Sequence, residues 1–214
     1  MIMNVVLRSV SKLINHTVVL DDISYQFSSG NIYGIVGLNG SGKTMLLRTI
    51  CGLLVPTTGT VVIDGKTLHK DISFPPNLGM IIEKPEFLSY LSGYENLKQI
   101  SDIKKIASDE TIKEYMQIFA LDPASRQAMR KYSLGMKQKI GIIQAIMENP
   151  DILVLDEPFN ALDEQSVLLF RKLLLQFKQD GKLIILTSHN KEDIEAICNE
   201  IIVMKNGKIV SVNQ

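Results

Sequence analysis

Short apolar runs bounded by turn residues recur along the chain: NIYGIV from Asn31, LGMII from Leu78, DILVL from Asp151, KLIIL from Lys182 and EIIVM from Glu200. They lack the polar alternation of a half-exposed strand, which predicts strands covered on both faces of a sheet. Between them the period changes. From Asp109 to Ala120, the residues Ile112, Tyr115, Met116 and Phe119 recur at the spacing that puts them on one face of a helix. Strand and helix alternate, so the fold class is α/β. The N-terminal stretches NVVLRSV and TVVLDDISYQF read as strands with no helix between them and predict a small antiparallel layer ahead of the main sheet. From about Pro85 to Met147 the pattern is almost wholly helical, opening at Ser92, whose spacing to Glu95 is that of a capping box. The chain is therefore expected to divide into an α/β core, 1–84 and 148–214, and an inserted helical subdomain, 85–147.

Composition narrows the classes. With 214 residues, 45% of them hydrophobic and 21% charged, the chain can bury a substantial core. Lys plus Arg and Asp plus Glu both number 23, so there is no overall basic field, and no nucleic-acid partner is expected. The runs DILVLD and KLIILT fall far short of the roughly 20 residues of a membrane-spanning helix, and the N-terminus lacks a signal peptide's apolar stretch. Cys51 and Cys198 form neither a C-x-x-C pair nor a metal-ligand spacing, and are expected to be buried thiols of a reducing compartment.

Four motifs carry chemistry. GLNGSGKT (Gly37, Leu38, Asn39, Gly40, Ser41, Gly42, Lys43 and Thr44) follows an apolar strand and precedes the helical stretch MLLRTI, the context of a phosphate-binding loop. Its glycines let consecutive N–H groups point inward, and the following helix N-terminus adds about half a positive charge. Lys43 would neutralise the outer phosphates, and Thr44 would offer a hydroxyl to Mg²⁺. ILVLDEP puts Asp156 and Glu157 at the C-terminal end of a buried strand, where open parallel sheets bind ligands. Asp156 would hold Mg²⁺ directly or through water, and Glu157 would polarise the attacking water as general base. His189, after KLIILTS, could reach the same sheet edge to bond the γ-phosphate or orient the water, or could simply cap or pack a helix start. KYSLGMKQK, from Lys131 to Lys139, reads as a turn opening a helix, with N–H groups near Ser133 and Gly135 directed to an anion.

The order of GLNGSGKT, YSLGMKQK, ILVLDEP, NALD and TSH resembles the nucleotide-binding subunit of ABC transporters over essentially the whole chain. The resemblance implies a P-loop ATPase core with an N-terminal antiparallel β layer and an inserted helical subdomain. Tyr132-Ser133-Leu134-Gly135-Met136 stands where that family usually has Leu-Ser-Gly-Gly-Gln, so Ser133 and Gly135 match and the other three positions depart. It further implies ATP and Mg²⁺ as cofactors, ATP hydrolysis, and a head-to-tail dimer with a second ABC ATPase subunit, expected to be a second copy of this chain. In that dimer Ser133, Leu134 and Gly135 would contact the γ-phosphate held by the partner, and Asp163 in NALD would be the D-loop aspartate along the seam. A separate transmembrane permease is expected to dock on Glu83 to about Leu97, placing the subunit peripherally on the cytoplasmic face of the membrane.

Other departures qualify the match. The family's usual aromatic platform for adenine falls at about Ile14, with His16 nearby. Glu83 stands in place of the Q-loop glutamine: it is a charged oxygen ligand for Mg²⁺ but cannot donate an amide hydrogen bond. Its charge should tighten the metal and repel the nucleotide. The string IIEKPEFLSYLSGYENL, with YSLGMKQK, resembles the exporter group of bacitracin-resistance and lantibiotic self-immunity ATPases, which implies export of a peptide antibiotic or a similar amphiphile. Two other readings are a soluble ABC-type ATPase driving a non-membrane partner, and a regulatory module that binds ATP without turnover, against which both Glu157 and His189 are present. After the closing strands EIIVMKNGKIVSV no C-terminal regulatory domain is expected, so control would come from partners or expression.

Overall fold

A computed structural model describes residues 3–83 and 85–213, with Lys191 described by its backbone alone. Lys84, part of the expected docking segment and the last residue of the first core segment, lies outside them, as do Met1, Ile2 and Gln214 at the outer limits of the expected core.

The chain opens with a hairpin of β1 (Asn4–Ile14) and β2 (Thr17–Ser28). Its turn residues Asn15 and His16 both have left-handed backbones, φ 46° and 63°, the geometry a two-residue hairpin turn needs. The expected antiparallel layer is therefore present. It is completed by residues for which no strand was expected: β4 (Thr58–Ile63) pairs with the other edge of β1, placing Val5 opposite Ile63, and β5 (Lys66–Thr67) follows at the edge.

The main sheet has six strands in the order β10-β9-β3-β8-β7-β6. They are β3 (Asn31–Val36), β6 (Leu78–Ile81), β7 (Ile152–Leu155), β8 (Leu183–Thr187), β9 (Glu200–Lys205) and β10 (Lys208–Asn213). All neighbours run parallel except the β9–β10 hairpin. The unbroken apolar runs have their explanation here. Ile152, Val154, Leu183 and Ile185 belong to one apolar core, while Leu153, Leu155, Ile184 and Leu186 belong to another, so both faces of β7 and β8 are covered.

The helices are α1 (Lys43–Ile50), α2 (Gly93–Lys104), α3 (Asp109–Ile118), α4 (Leu134–Ile146), α5 (Glu164–Gln179) and α6 (Lys191–Ile197). The capping box is formed in both directions: the Glu95 N–H donates to Ser92 Oγ at 3.2 Å and the Ser92 N–H to Glu95 Oε2 at 2.7 Å. The span 85–147 is less helical than its pattern predicts. α3 stops at Ile118, because Ala120 takes a left-handed backbone at φ 55°, and the chain then runs through turns to a 3-10 turn at Met129–Lys131. Apolar side chains such as Leu121 and Met129 remain buried there, which kept the pattern intact while the backbone paired elsewhere. The Asn96 amide accepts from the Leu88 N–H and donates to its carbonyl, and the Met129 N–H donates to the Leu91 carbonyl. Cys51 is buried as expected, whereas Cys198 is only half-buried; burial pushes both thiols up to about 12.

Candidate functional site

The loops leaving β3, β7 and β8 meet at the C-terminal edge of the sheet. Between β3 and α1 the phosphate-loop sequence turns through left-handed backbones at Gly40 and Gly42, φ 78° and 104°. Gly42 has no room for a side chain, since a Cβ there would lie 2.7 Å from the Val19 carbonyl oxygen. Lys43 is 7% exposed, and its ammonium donates to the carbonyls of Gly37 at 2.8 Å and Leu38 at 3.3 Å, which holds it over the loop. The Ser41 hydroxyl is buried without a protein partner. A buried, unpaired hydroxyl beside an ammonium and a helix N-terminus suits a phosphate.

A chain of hydroxyls and carboxylates crosses from α1 to β8. The Thr44 hydroxyl donates to Asp156 Oδ2 at 2.7 Å, and the Thr187 hydroxyl donates to Asp156 Oδ1 at 2.7 Å. Thr187 Oγ1 in turn accepts from the Glu157 N–H at 2.9 Å. Asp156 is thus fixed on both oxygens. The pair Thr44 and Asp156 suits Mg²⁺, which takes oxygen ligands and relies on one or two carboxylates with phosphates and water rather than an all-protein cage. Among the described residues no cluster of three or more His, Cys, Asp or Glu forms such a cage.

Glu157 leaves the sheet with a left-handed backbone, φ 50°, a conformation that costs a non-glycine residue of order 1 kcal/mol. The turn aims its carboxylate at His189: the His189 N–H donates to Oε2 at 3.1 Å, and Nε2 lies 3.2 Å from Oε1. Burial raises the Glu157 carboxyl above the ordinary glutamate range, against the pull of His189 and Lys43 and with a smaller push from Asp156.

One cleft of about 440 Å³ is lined by Asn39 to Met45 with Val19, Glu83, Asp156, Glu157 and His189, while Gly37 and Leu38 line a separate cavity with Ser188 and His189. Glu83, left-handed at φ 60°, sits in the cleft wall, with Oε1 2.8 Å from Arg48 Nη2. Ile14 and His16, the positions expected near the adenine platform, lie at the β1–β2 turn and are not among the lining residues, whereas Val19 of β2 is.

Ser133, Leu134, Gly135 and Asp163 are absent from the residues lining the cleft and form a second locus. Ser133 caps α4, accepting from the Met136 N–H at 3.2 Å, and Leu134 is exposed. A Cβ at Gly135 would lie 2.6 Å from the Ala161 carbonyl oxygen, so the first turn of α4 sits directly on the NALD segment. Asp163 caps α5 through the Ser166 N–H and pairs with Lys139 Nζ at 2.9 Å. The Lys139 ammonium, and then the Ser166 donors, hold the Asp163 carboxyl well below the usual range. The Gln138 amide donates to the Pro158 carbonyl at 2.9 Å, tying α4 to the residue after Glu157.

Sequence reasoning missed Thr187, Lys139, Gln138 and Arg48. Thr187 had a signal, being the one hydroxyl closing an otherwise apolar buried strand two residues before His189. The other three bear on the site only through contacts distant in sequence or set by a turn.

The family model described as ABC transporter matches residues 20–160. The sequence is 50% identical over 201 residues to the uncharacterised ABC transporter ATP-binding protein YybJ of Bacillus subtilis (strain 168), covering 94% of this chain and 92% of that one. It is 36% identical over 214 residues to the bacitracin transport ATP-binding protein BcrA of Enterococcus faecalis, covering 98% of this chain and 70% of BcrA. The fold matches a dimeric structure of a post-hydrolysis state of the ATP-binding cassette MJ0796 bound to ADP and Pi, with a TM-score of 0.85, 22% identity and 98% of each chain covered.

Proposed function

The chain belongs to the ATP-binding subunits of ABC transporters, and from that premise we propose that it binds MgATP in the cleft and hydrolyses it as one half of a head-to-tail dimer. The observation that carries the reading is the bonded chain Thr44–Asp156–Thr187–Glu157, which fixes a metal-binding oxygen pair and a carboxylate against one phosphate-binding loop. Bound Mg²⁺ would neutralise phosphate charge. Gly37 to Thr44 bind the phosphates, with Lys43 supplying the cation. Asp156 and Thr44 hold the metal, with Glu83 on the same wall. Glu157 takes the proton of the attacking water, its raised affinity for protons suiting a base, and His189 orients that carboxylate and the γ-phosphate. Ser133, Leu134 and Gly135 lie outside this cleft, which fits a role on a partner's nucleotide, and Asp163 holds the adjoining seam. The dimeric assembly of the structural neighbour supports this arrangement.

At a finer level, the chain drives export of a peptide antibiotic or similar amphiphile through a separate permease, a reading supported by its likeness to BcrA, whose name describes bacitracin transport. Among the described residues no helix is long and apolar enough to cross a membrane. The helices between β6 and β7 form the subdomain, 85–147, that passes motion to the permease, with docking at Glu83 to about Leu97. The test is to purify the tagged chain from detergent-solubilised membranes of its native cell and to measure ATP-dependent phosphate release. A polytopic membrane protein in stoichiometric amount, with phosphate release abolished by Lys43→Ala, is the expected result. Soluble partners alone would replace the permease, and phosphate release insensitive to Lys43→Ala would remove the site.

A further inference from the structure

The lining of the cleft is acidic for a site that takes a polyanion. Glu83, Asp156 and Glu157 face one lysine, Lys43. Asp156 is spoken for by Thr44 and Thr187, and Glu157 by His189. Glu83 differs: among the described residues its carboxylate pairs with the guanidinium of Arg48 alone, at 2.8 Å. Arg48 does not line this cleft. It lies in the last turn of α1, the helix whose first turn carries Lys43 and Thr44, and it lines an adjoining groove of about 420 Å³ with Met80, Ile82, Pro85 and Gln144. The Glu83 carboxylate is therefore drawn to the boundary between cleft and groove. The two side chains are 36% and 56% exposed, so the pair adds little to fold stability and acts chiefly through where it places charge.

We propose that Arg48 is a positioning residue for nucleotide binding, whose guanidinium holds the Glu83 carboxylate at the groove side of the cleft wall and cancels its charge, so that the cleft admits a nucleoside triphosphate. Rather than an open repulsive charge beside the outer phosphates, Glu83 is a neutralised one, and Arg48 supplies the compensation. The inference rests on the ATP-binding reading of the cleft.

The experiment is a double-mutant cycle on the full chain, with MgATP affinity measured by equilibrium dialysis at low and high salt for the unmodified chain, Arg48→Met, Arg48→Lys, Glu83→Gln and Arg48→Met/Glu83→Gln. Removing the guanidinium exposes one unpaired charge to the polyanion, so Arg48→Met should weaken binding roughly three- to tenfold at low salt, and the loss should shrink as salt rises. Arg48→Lys keeps the charge and most of the affinity. The double variant should return to within about twofold of Glu83→Gln, because no carboxylate remains to be neutralised. An Arg48→Met affinity equal to that of the unmodified chain overturns the inference. So does a double variant as weak as Arg48→Met, which would place Arg48 on the nucleotide or in the fold. In either case the ATP reading stands, since the unmodified chain binds. Failure of the unmodified chain to bind MgATP overturns both.

Discussion

His189 meets Glu157 at both carboxylate oxygens: its main-chain N–H donates to Oε2 at 3.1 Å, and its imidazole Nε2 stands 3.2 Å from Oε1, to which no hydrogen bond is made. Because β7 and β8 are adjacent and parallel, with Leu155 opposite Leu186, the residues just past their ends are brought together by sheet register alone. The left-handed turn at Glu157 then swings the carboxylate across to the histidine. An acid and an imidazole held this way suit the orienting of a water beside a phosphate.

Glu157→Gln preserves the shape of the side chain and an oxygen to accept the His189 N–H, but removes the base. MgATP binding should persist while phosphate release falls by about 10²- to 10⁴-fold. With hydrolysis blocked, an ATP-dependent dimer should accumulate on size-exclusion chromatography. Turnover at the unmodified rate would assign the base to another residue.

At the second locus, Gly135 has no space for a Cβ because the Ala161 carbonyl oxygen would lie 2.6 Å away, and the obstacle is backbone rather than a flexible side chain. Gly135→Ala should displace α4 from the NALD segment, and Ser133→Arg should set a bulky cation where a partner's phosphate is to be met. Both variants should bind MgATP as monomers yet fail to dimerise with it, measured by dialysis and by light scattering. Normal ATP-driven dimerisation in both would remove the contact in trans.

The main sheet was legible because burial on both faces leaves unbroken apolar runs, and the cleft was legible because its residues close those same strands: Lys43 and Thr44 after β3, Asp156 after β7, His189 after β8. β4 was not, since Thr58, Gly59 and Thr60 are exposed and carry no apolar pattern; its pairing with β1 is fixed by contacts about 50 residues distant in sequence. The turns of 119–128 were hidden for the opposite reason, as buried Leu121 and Met129 continue a helical pattern through a backbone that has left the helix. Arg48 was silent because nothing in a helix's own sequence says which distant carboxylate its last turn will meet.

Phe170, fully buried on α5, has the ring of Phe119 at 6.2 Å and that of Phe159 at 5.7 Å, joining the end of α3 to the segment after Glu157. Phe170→Ala removes the central ring of the three and leaves a cavity in the core. Urea unfolding should show a loss of about 3–5 kcal/mol. A loss below about 1 kcal/mol would mean that the site collapses freely and that the aromatic join is not a structural tie.

Asp163 gives the pH test, because its two roles can be separated. Asn at this position still caps α5 toward the Ser166 N–H but no longer pairs with the Lys139 ammonium, so Asp163→Asn isolates the charge. Lys139, followed by the Ser166 donors, lowers the folded-state affinity of the carboxyl for protons relative to the unfolded chain. The unfolded state takes up the proton first as pH falls, so the stabilisation is complete above the ordinary carboxylate range and is lost as pH drops through it toward the depressed folded value. The urea midpoint of the unmodified chain should therefore exceed that of Asp163→Asn at pH 7, with the gap closing below about pH 4. Asp163 is 57% exposed, so the gap is small and added salt should narrow it. A gap that holds constant through the acid range would assign the stabilisation to capping or packing, and the Lys139 pair would then serve only to orient the seam.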